Sequence, residues 1–169
     1  TARGGSKSIP LKNLVPVCGR PLIEYSINAA KKAQTLSRII CSTDYPKIAE
    51  FAESCGVDVL YRPENLSGDL VPSVDVMIYV AEEIERKEGA VAEILILLQP
   101  TSLFVTSTQI DKAVNALLEN PDANSSQNVV RVPHQFHAHN QRVVYDDGND
   151  IAFVYEKERE MGYSKQTKP

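Results

Sequence analysis

The chain has 169 residues, 43% of them hydrophobic and 24% charged, which suits one globular domain with a buried core and is short for two. Its formal charge of −4, from 18 Lys and Arg against 22 Asp and Glu, gives no global basic face, so a nucleic-acid partner is disfavoured and any anion must be met by a local group of cations. No run approaches the roughly 18 apolar residues of a membrane span, no leader pattern is seen, and Cys18, Cys41 and Cys55 lack C-x-x-C spacing; they read as reduced, buried thiols, which points to the cytosol.

Residues 1–13, TARGGSKSIPLKN, read as a glycine- and lysine-rich loop with no strand ahead of it. From Pro21, the apolar positions Leu22, Ile23, Ile27 and Ala30 recur at threes and fours and predict an amphipathic helix to about Gln34. RIICS then predicts a strand from Arg38, with Thr43 or Asp44 available to cap a helix over 46–54 and Gly56 to stop it. DVLYR is a second strand, PENLSGDL a polar loop and 73–87 a helix. EILILL, at 93–98, is a continuous apolar run of the kind a doubly covered parallel strand shows. A helix over 107–119, a strand NVVRV and two strands around an Asp147-Gly148 turn in RVVYDDGNDIAFVYE complete the chain. This alternation predicts an α/β fold, a doubly wound and mostly parallel sheet with a late antiparallel hairpin.

In such sheets ligands sit outside the carboxyl ends of the strands, so the loops RGGSKSIPLKN, STD, RPENLSGD and QPTS outline a site. Arg3, Lys7 and Lys12 bring three cations into ten residues, and Gly4, Gly5 and Ser6 offer unhindered backbone N–H groups, a combination that suits a polyphosphate. The spacing is not that of a Walker A loop, and GGS by itself also reads as a linker. Arg62, followed by Ser67, Asp69 and Ser73, can hold a nucleotide base or ribose or be a solvated charge. Gln99 follows the apolar ILILL, where a buried strand would empty into the crevice. Thr101 and Ser102 serve as contacts or turn caps, and Asp44 as a cation ligand or a cap. His134, His137 and His139 in HQFHAH lack a fourth ligand and make a weak zinc pattern.

Taken together, ARGGSKSIPLKN, GRPLIEYSINAA, STD, RPENLSGD, LLQPTS and VPH resemble the acylneuraminate (CMP-sialic acid) cytidylyltransferases, with CMP-Kdo synthetases as more distant relatives. The resemblance covers most of residues 2–134 and implies a Rossmann-like nucleotidyltransferase that moves CMP from CTP to the anomeric hydroxyl of an acidic nine-carbon sugar, with Mg²⁺ as cofactor and pyrophosphate as leaving group. It implies that Arg3, Ser6, Lys7 and Asn13 contact CTP, that Lys12 stabilises the reacting phosphate with Lys7 and Arg3, that Arg62 and Ser73 hold base and ribose, and that Gln99 reaches the sugar. It also implies a cytoplasmic homodimer, with residues 1–132 as the nucleotide-binding domain and 133–169 as a hairpin or dimerisation arm that includes Arg142. Two departures stand out: Leu103, Phe104 and Val105 replace the usual PLR after LLQPTS, and the metal-holding aspartates are expected beyond Pro169, DDGND suiting a hairpin tip better. The chain is therefore expected to be a partial view of a longer enzyme.

Overall fold

The computed structural model describes residues 1–131, 133, 136, 142–144 and 151–153. The chain divides into two compact units, Thr1–Gln127 and Asn128–Pro169. In the first, a 3₁₀ turn at Lys12–Leu14 leads to a short antiparallel pair, β1 (Pro16–Val17) and β2 (Arg20–Pro21). The turn between them takes positive φ at Cys18 (48°) and Gly19 (81°), and Cys18 is exposed rather than buried.

Helix α1 (Leu22–Lys32) forms where the apolar spacing predicts it and buries Leu22, Ile23, Ser26, Ile27, Ala29 and Ala30 on one side. Lys31 and Lys32 lie in its last turn, against the negative end of the helix dipole. Strand β3 (Ile40–Thr43), helix α2 (Pro46–Ser54) and strand β4 (Asp58–Tyr61) make one βαβ unit. The strands pair in parallel, Ile40 opposite Asp58 through to Thr43 opposite Tyr61. Pro46 occupies the first turn of α2, where its missing N–H costs nothing, and Gly56 ends the helix with φ 68°. Tyr45, not Thr43 or Asp44, is the N-cap residue, and no side chain caps this helix; both expected caps turn instead to contacts described below.

Helix α3 (Ser73–Glu88) stops at Gly89, whose φ of 66° lets its N–H reach the Glu85 carbonyl. Helix α4 (Ser107–Leu118) starts from a capping box in which Thr106 Oγ1 accepts from the Gln109 N–H and Gln109 Oε1 accepts from the Thr106 N–H. It packs along α1, and Asp111 Oδ1 accepts the N–H groups of Gln34 and Thr35 and the Thr35 hydroxyl at 2.8–2.9 Å. These bonds account for α1 ending at Lys32 instead of running to Gln34. The core joins Ala2, Ile23, Ile27, Cys41, Ile48, Ala52 and Val57.

Residues 93–98 do not form the expected strand, nor do 128–131 of NVVRV. A parallel strand exists only through a neighbour's ladder, and a short apolar run alone cannot specify one. Among the described residues β3 and β4 pair with each other, and Ile94, Leu97 and Leu98 line a cleft of about 600 Å³ opposite Ile23, Ile40 and Val114. In the second unit, β5 (Arg142–Val144) and β6 (Ile151–Phe153) pair antiparallel, Arg142 opposite Phe153, as the late hairpin requires. Its Asp147-Gly148 turn, the three histidines and residues 154–169 lie outside the described residues.

Candidate functional site

The residues that follow β3 and β4 meet the opening loop at one place. Ala2 N–H donates to the Ser42 carbonyl at 2.9 Å, so the loop leaves from the end of β3. Gly4 N–H donates to Asp44 Oδ1 at 2.8 Å. Asn13 is buried, and its Nδ2 donates to the Arg3 carbonyl at 2.9 Å. The absence of a side chain at Gly4 is a packing requirement, because a Cβ there would lie 2.7 Å from Cβ, Cγ and Cδ2 of Tyr45. Gly5 has nothing within 4 Å of the same position.

The cations of this loop converge. Arg3 and Lys7 both pair with Asp69, at the end of the RPENLSGD segment. Lys7 and then Arg3, through hydrogen bonds, hold the Asp69 carboxyl below the ordinary carboxylate range. A hollow of about 660 Å³, bordered by Lys7, Asn65, Asp69 and Asp75, opens beside them. Lys12 lies in the 3₁₀ turn, half-buried.

Arg62 is half-buried at the end of β4. Its N–H donates to the Thr43 carbonyl at 2.8 Å, and its guanidinium donates to the carbonyls of Ser42 (2.9 Å) and Leu66 (3.5 Å). Burial lowers the affinity of this guanidinium for its proton, and the nearby Asp44 charge opposes that effect. It is therefore a built-in cation rather than a solvated one. Ser6 Oγ, Ser42 Oγ and Arg62 Nε are buried without a hydrogen-bond partner, a condition that typically costs about 1–3 kcal/mol per group. Cys41 is not a candidate nucleophile: burial, the largest influence on it, pushes its thiol up.

Ser73 is exposed as the first residue of α3, and Gln99 is exposed in the turn where its carbonyl accepts the Ser102 N–H at 2.9 Å. Among the described residues neither forms a hydrogen bond or ion pair with the Arg3–Lys7 loop, so the grouping brought together is Arg3, Ser6, Lys7, Asn13 and Arg62. Two partners of that grouping, Asp44 and Asp69, are not legible as such in the sequence. In the sequence Asp44 reads as a cap or cation ligand, and Asp69 as a neighbour of Arg62. No local signal exposes either contact, since they span 40 and 66 residues.

Among the described residues, no group of three or more His, Cys, Asp or Glu could hold a metal ion. Asp69 is taken up by Arg3 and Lys7, and one oxygen of Asp44 by Gly4. The described residues therefore do not fit a Mg²⁺ site.

A family model described as "Cytidylyltransferase" matches residues 1–168. The chain belongs to the cytidylyltransferase family. Its relatives include the N-acylneuraminate cytidylyltransferase of Escherichia coli, 36% identical over 113 residues, which are 67% of this chain and 26% of that protein. The pseudaminic acid cytidylyltransferase of Campylobacter jejuni is 32% identical over 120 residues, 70% of this chain and 51% of that one. The 3-deoxy-manno-octulosonate cytidylyltransferase of Bdellovibrio bacteriovorus is 34% identical over 135 residues, 78% of this chain and 54% of that one. This member of the family thus spans from about a quarter to about half the length of these relatives.

Among solved structures, CMP:2-keto-3-deoxy-manno-octonic acid synthetase complexed with CTP aligns at a TM-score of 0.59 and 21% identity, over 72% of this chain and 46% of that chain. A cytidylyltransferase from Leptospira borgpetersenii aligns at 0.56 and 18% identity, over 71% and 47%. At these identities the likeness establishes the fold, an α/β architecture with a parallel sheet, even though residues 93–98 add no strand to it here.

Proposed function

We propose that this chain is the nucleotide-binding part of a cytidylyltransferase that transfers CMP from CTP to the anomeric hydroxyl of a nonulosonic, sialic-type acid. The observation that carries the reading is the convergence of Arg3 and Lys7 on one carboxylate at the carboxyl end of the parallel strands, beside the half-buried Arg62. Two cations that share one anion in the free protein form a seat of the sign a phosphate needs. The unpartnered Ser6 Oγ and Arg62 Nε add polar groups to the same region.

In the proposed reaction the sugar oxygen attacks the α-phosphorus, the bond from that phosphorus to the bridging oxygen breaks, and pyrophosphate leaves with the electron pair. Negative charge grows on the leaving group, so fixed cations act most strongly in the transition state. Arg3, Lys7 and Lys12 take that role. Ser6, Arg62 and Ser73 hold the nucleotide, Asn13 contributes through its grip on Arg3, and Gln99 reaches the acceptor. The relatives' names span nine-carbon and eight-carbon acids, and the opening and LLQPTS motifs, which resemble acylneuraminate enzymes more than CMP-Kdo synthetases, favour the nine-carbon class. A homodimer in the cytoplasm, and Mg²⁺ held by ligands other than the described residues, belong to the same proposal. The second reading, a nucleotide-binding homologue without catalysis, is favoured by Leu103, Phe104 and Val105 in place of PLR.

The test is pyrophosphate release with CTP, Mg²⁺ and a panel of nonulosonic acids and Kdo, beside Lys12→Ala and controls with ATP, GTP and UTP. Release with CTP and a nonulosonic acid, lost in Lys12→Ala, supports transfer. CTP binding with no release from any combination selects the non-catalytic reading.

A further inference from the structure

The Arg3–Gly4 peptide unit is gripped at both of its polar ends. Its oxygen, the Arg3 carbonyl, accepts from buried Asn13 Nδ2 at 2.9 Å, and its nitrogen, the Gly4 N–H, donates to Asp44 Oδ1 at 2.8 Å. We propose that Asp44 is a positioning residue of this site, which fixes the plane of that peptide so that the side chains of Arg3 and Lys7 face the nucleotide's phosphates. The proposal rests on the nucleotide-binding reading above.

A loop built on two successive glycines has few steric limits on its backbone dihedrals, and a peptide plane beside glycine turns over easily. Phosphate recognition needs the opposite, a backbone that holds cations in one place before the ligand arrives. Asp44 is well placed to supply that. It follows Ser42 and Thr43, which are 2% and 0% exposed, and the Tyr45 N–H donates to Thr43 Oγ1 at 3.2 Å, which fixes the turn on which Asp44 stands. The next residue, Tyr45, accepts the Ile48 and Ala49 N–H groups at the start of α2 and packs against Gly4 where a Cβ would stand. The acceptor is therefore carried by a strand end and a helix start, and the loop is carried by the acceptor. The bond also spends the Gly4 N–H, so that amide is not a phosphate donor, and it puts a carboxylate beside Arg62, whose positive charge it supports.

Asparagine keeps an oxygen that can accept from Gly4 but loses the charge; alanine loses both. The expected result is that Asp44→Ala raises the KM for CTP about tenfold, the equivalent of roughly 1.4 kcal/mol, with the KM for the acidic sugar unchanged, while Asp44→Asn stays close to the parent protein. Asn13→Ala reproduces the effect, and the double variant is no worse than either single one, because both act on one peptide unit. An unchanged KM for CTP in both Asp44→Ala and Asn13→Ala overturns the proposal, and so does an Asp44→Asn variant as impaired as Asp44→Ala, which would make charge the role of Asp44. Hydrogen exchange at the Gly4 amide without nucleotide separates this from the functional reading: protection in the parent and in Asp44→Asn, lost in Asp44→Ala, is expected even if CTP proves not to be the ligand. Equal Gly4 exchange in all three proteins overturns the clamp whatever the ligand.

Discussion

The Arg3 guanidinium rests on the Asp69 carboxylate, 66 residues further along the chain, and Lys7 shares the same carboxylate. A triphosphate that uses these cations has to displace Asp69. Asp69→Asn removes the competing charge and is expected to tighten CTP binding about two- to fivefold, the range set by exposed ion pairs, with the largest gain at low salt. Titrations at two ionic strengths check it; weaker binding would mean that the carboxylate serves the ligand instead of standing in for it.

Gly4 and Gly5 are adjacent and chemically identical, yet their surroundings differ. A methyl at Gly4 meets Tyr45 at 2.7 Å near the backbone, where the ring cannot swing away, and one at Gly5 meets nothing within 4 Å. Gly4→Ala is expected to weaken CTP binding by about tenfold or more, roughly 1.4 kcal/mol, while Gly5→Ala leaves it close to the parent value. Equal effects of the two changes would contradict the close packing of Tyr45 on the loop.

The capping box of α4 gives a stability prediction independent of the site. Thr106→Ala removes the acceptor of the Gln109 N–H and should lower unfolding free energy by about 1 kcal/mol, with Thr106→Ser recovering most of it. Urea unfolding of the three proteins measures this. No loss in Thr106→Ala would show that tertiary packing alone starts the helix.

Acid should destabilise the chain through a defined set of carboxylates. Hydrogen bonds hold Asp69, Glu88 and Asp111 below their ordinary values, and Arg86, first among the causes, brings Glu83 down to about 2. Folded values below unfolded ones mean that this stability is fully present above roughly pH 4–5, where unfolded carboxylates are ionised, and is lost as pH falls through the depressed values. The urea midpoint should hold from pH 7 to about 5 and decline towards pH 2, less steeply in Asp111→Ala. A midpoint that rises on acidification would contradict these pairings.

What the sequence discloses here follows from how local each signal is. Leu22, Ile23, Ile27 and Ala30 announce α1 because a helix is made of neighbours, and Gly56 marks the end of α2 because its conformation is a property of one residue. Thr106 and Gln109 carry a legible S/T-x-x-Q signature that also marks the start of α4. Residues 93–98 mislead because an apolar run says that a segment is to be covered, not which strand it pairs with. Arg3, Lys7 and Arg62 are legible as cations near strand ends. That Asn13 braces Arg3, that Asp44 holds Gly4 and that Asp69 occupies the cation seat depend on the closure of loops far apart in the chain, and Asp44 carried an adequate local explanation as a cap that the structure does not use.

The Arg3–Lys7 loop is proposed as a seat for the phosphates of CTP. Its most direct test is a binding titration of the chain with CTP, ATP, GTP and UTP, repeated with Arg3→Ala and Lys7→Ala. CTP is expected to bind most tightly, each substitution to weaken it about tenfold or more, roughly 1.4 kcal/mol, and added salt to weaken the parent more than either variant. Binding that fails to distinguish CTP from the other three, or that survives both substitutions unchanged, would contradict it.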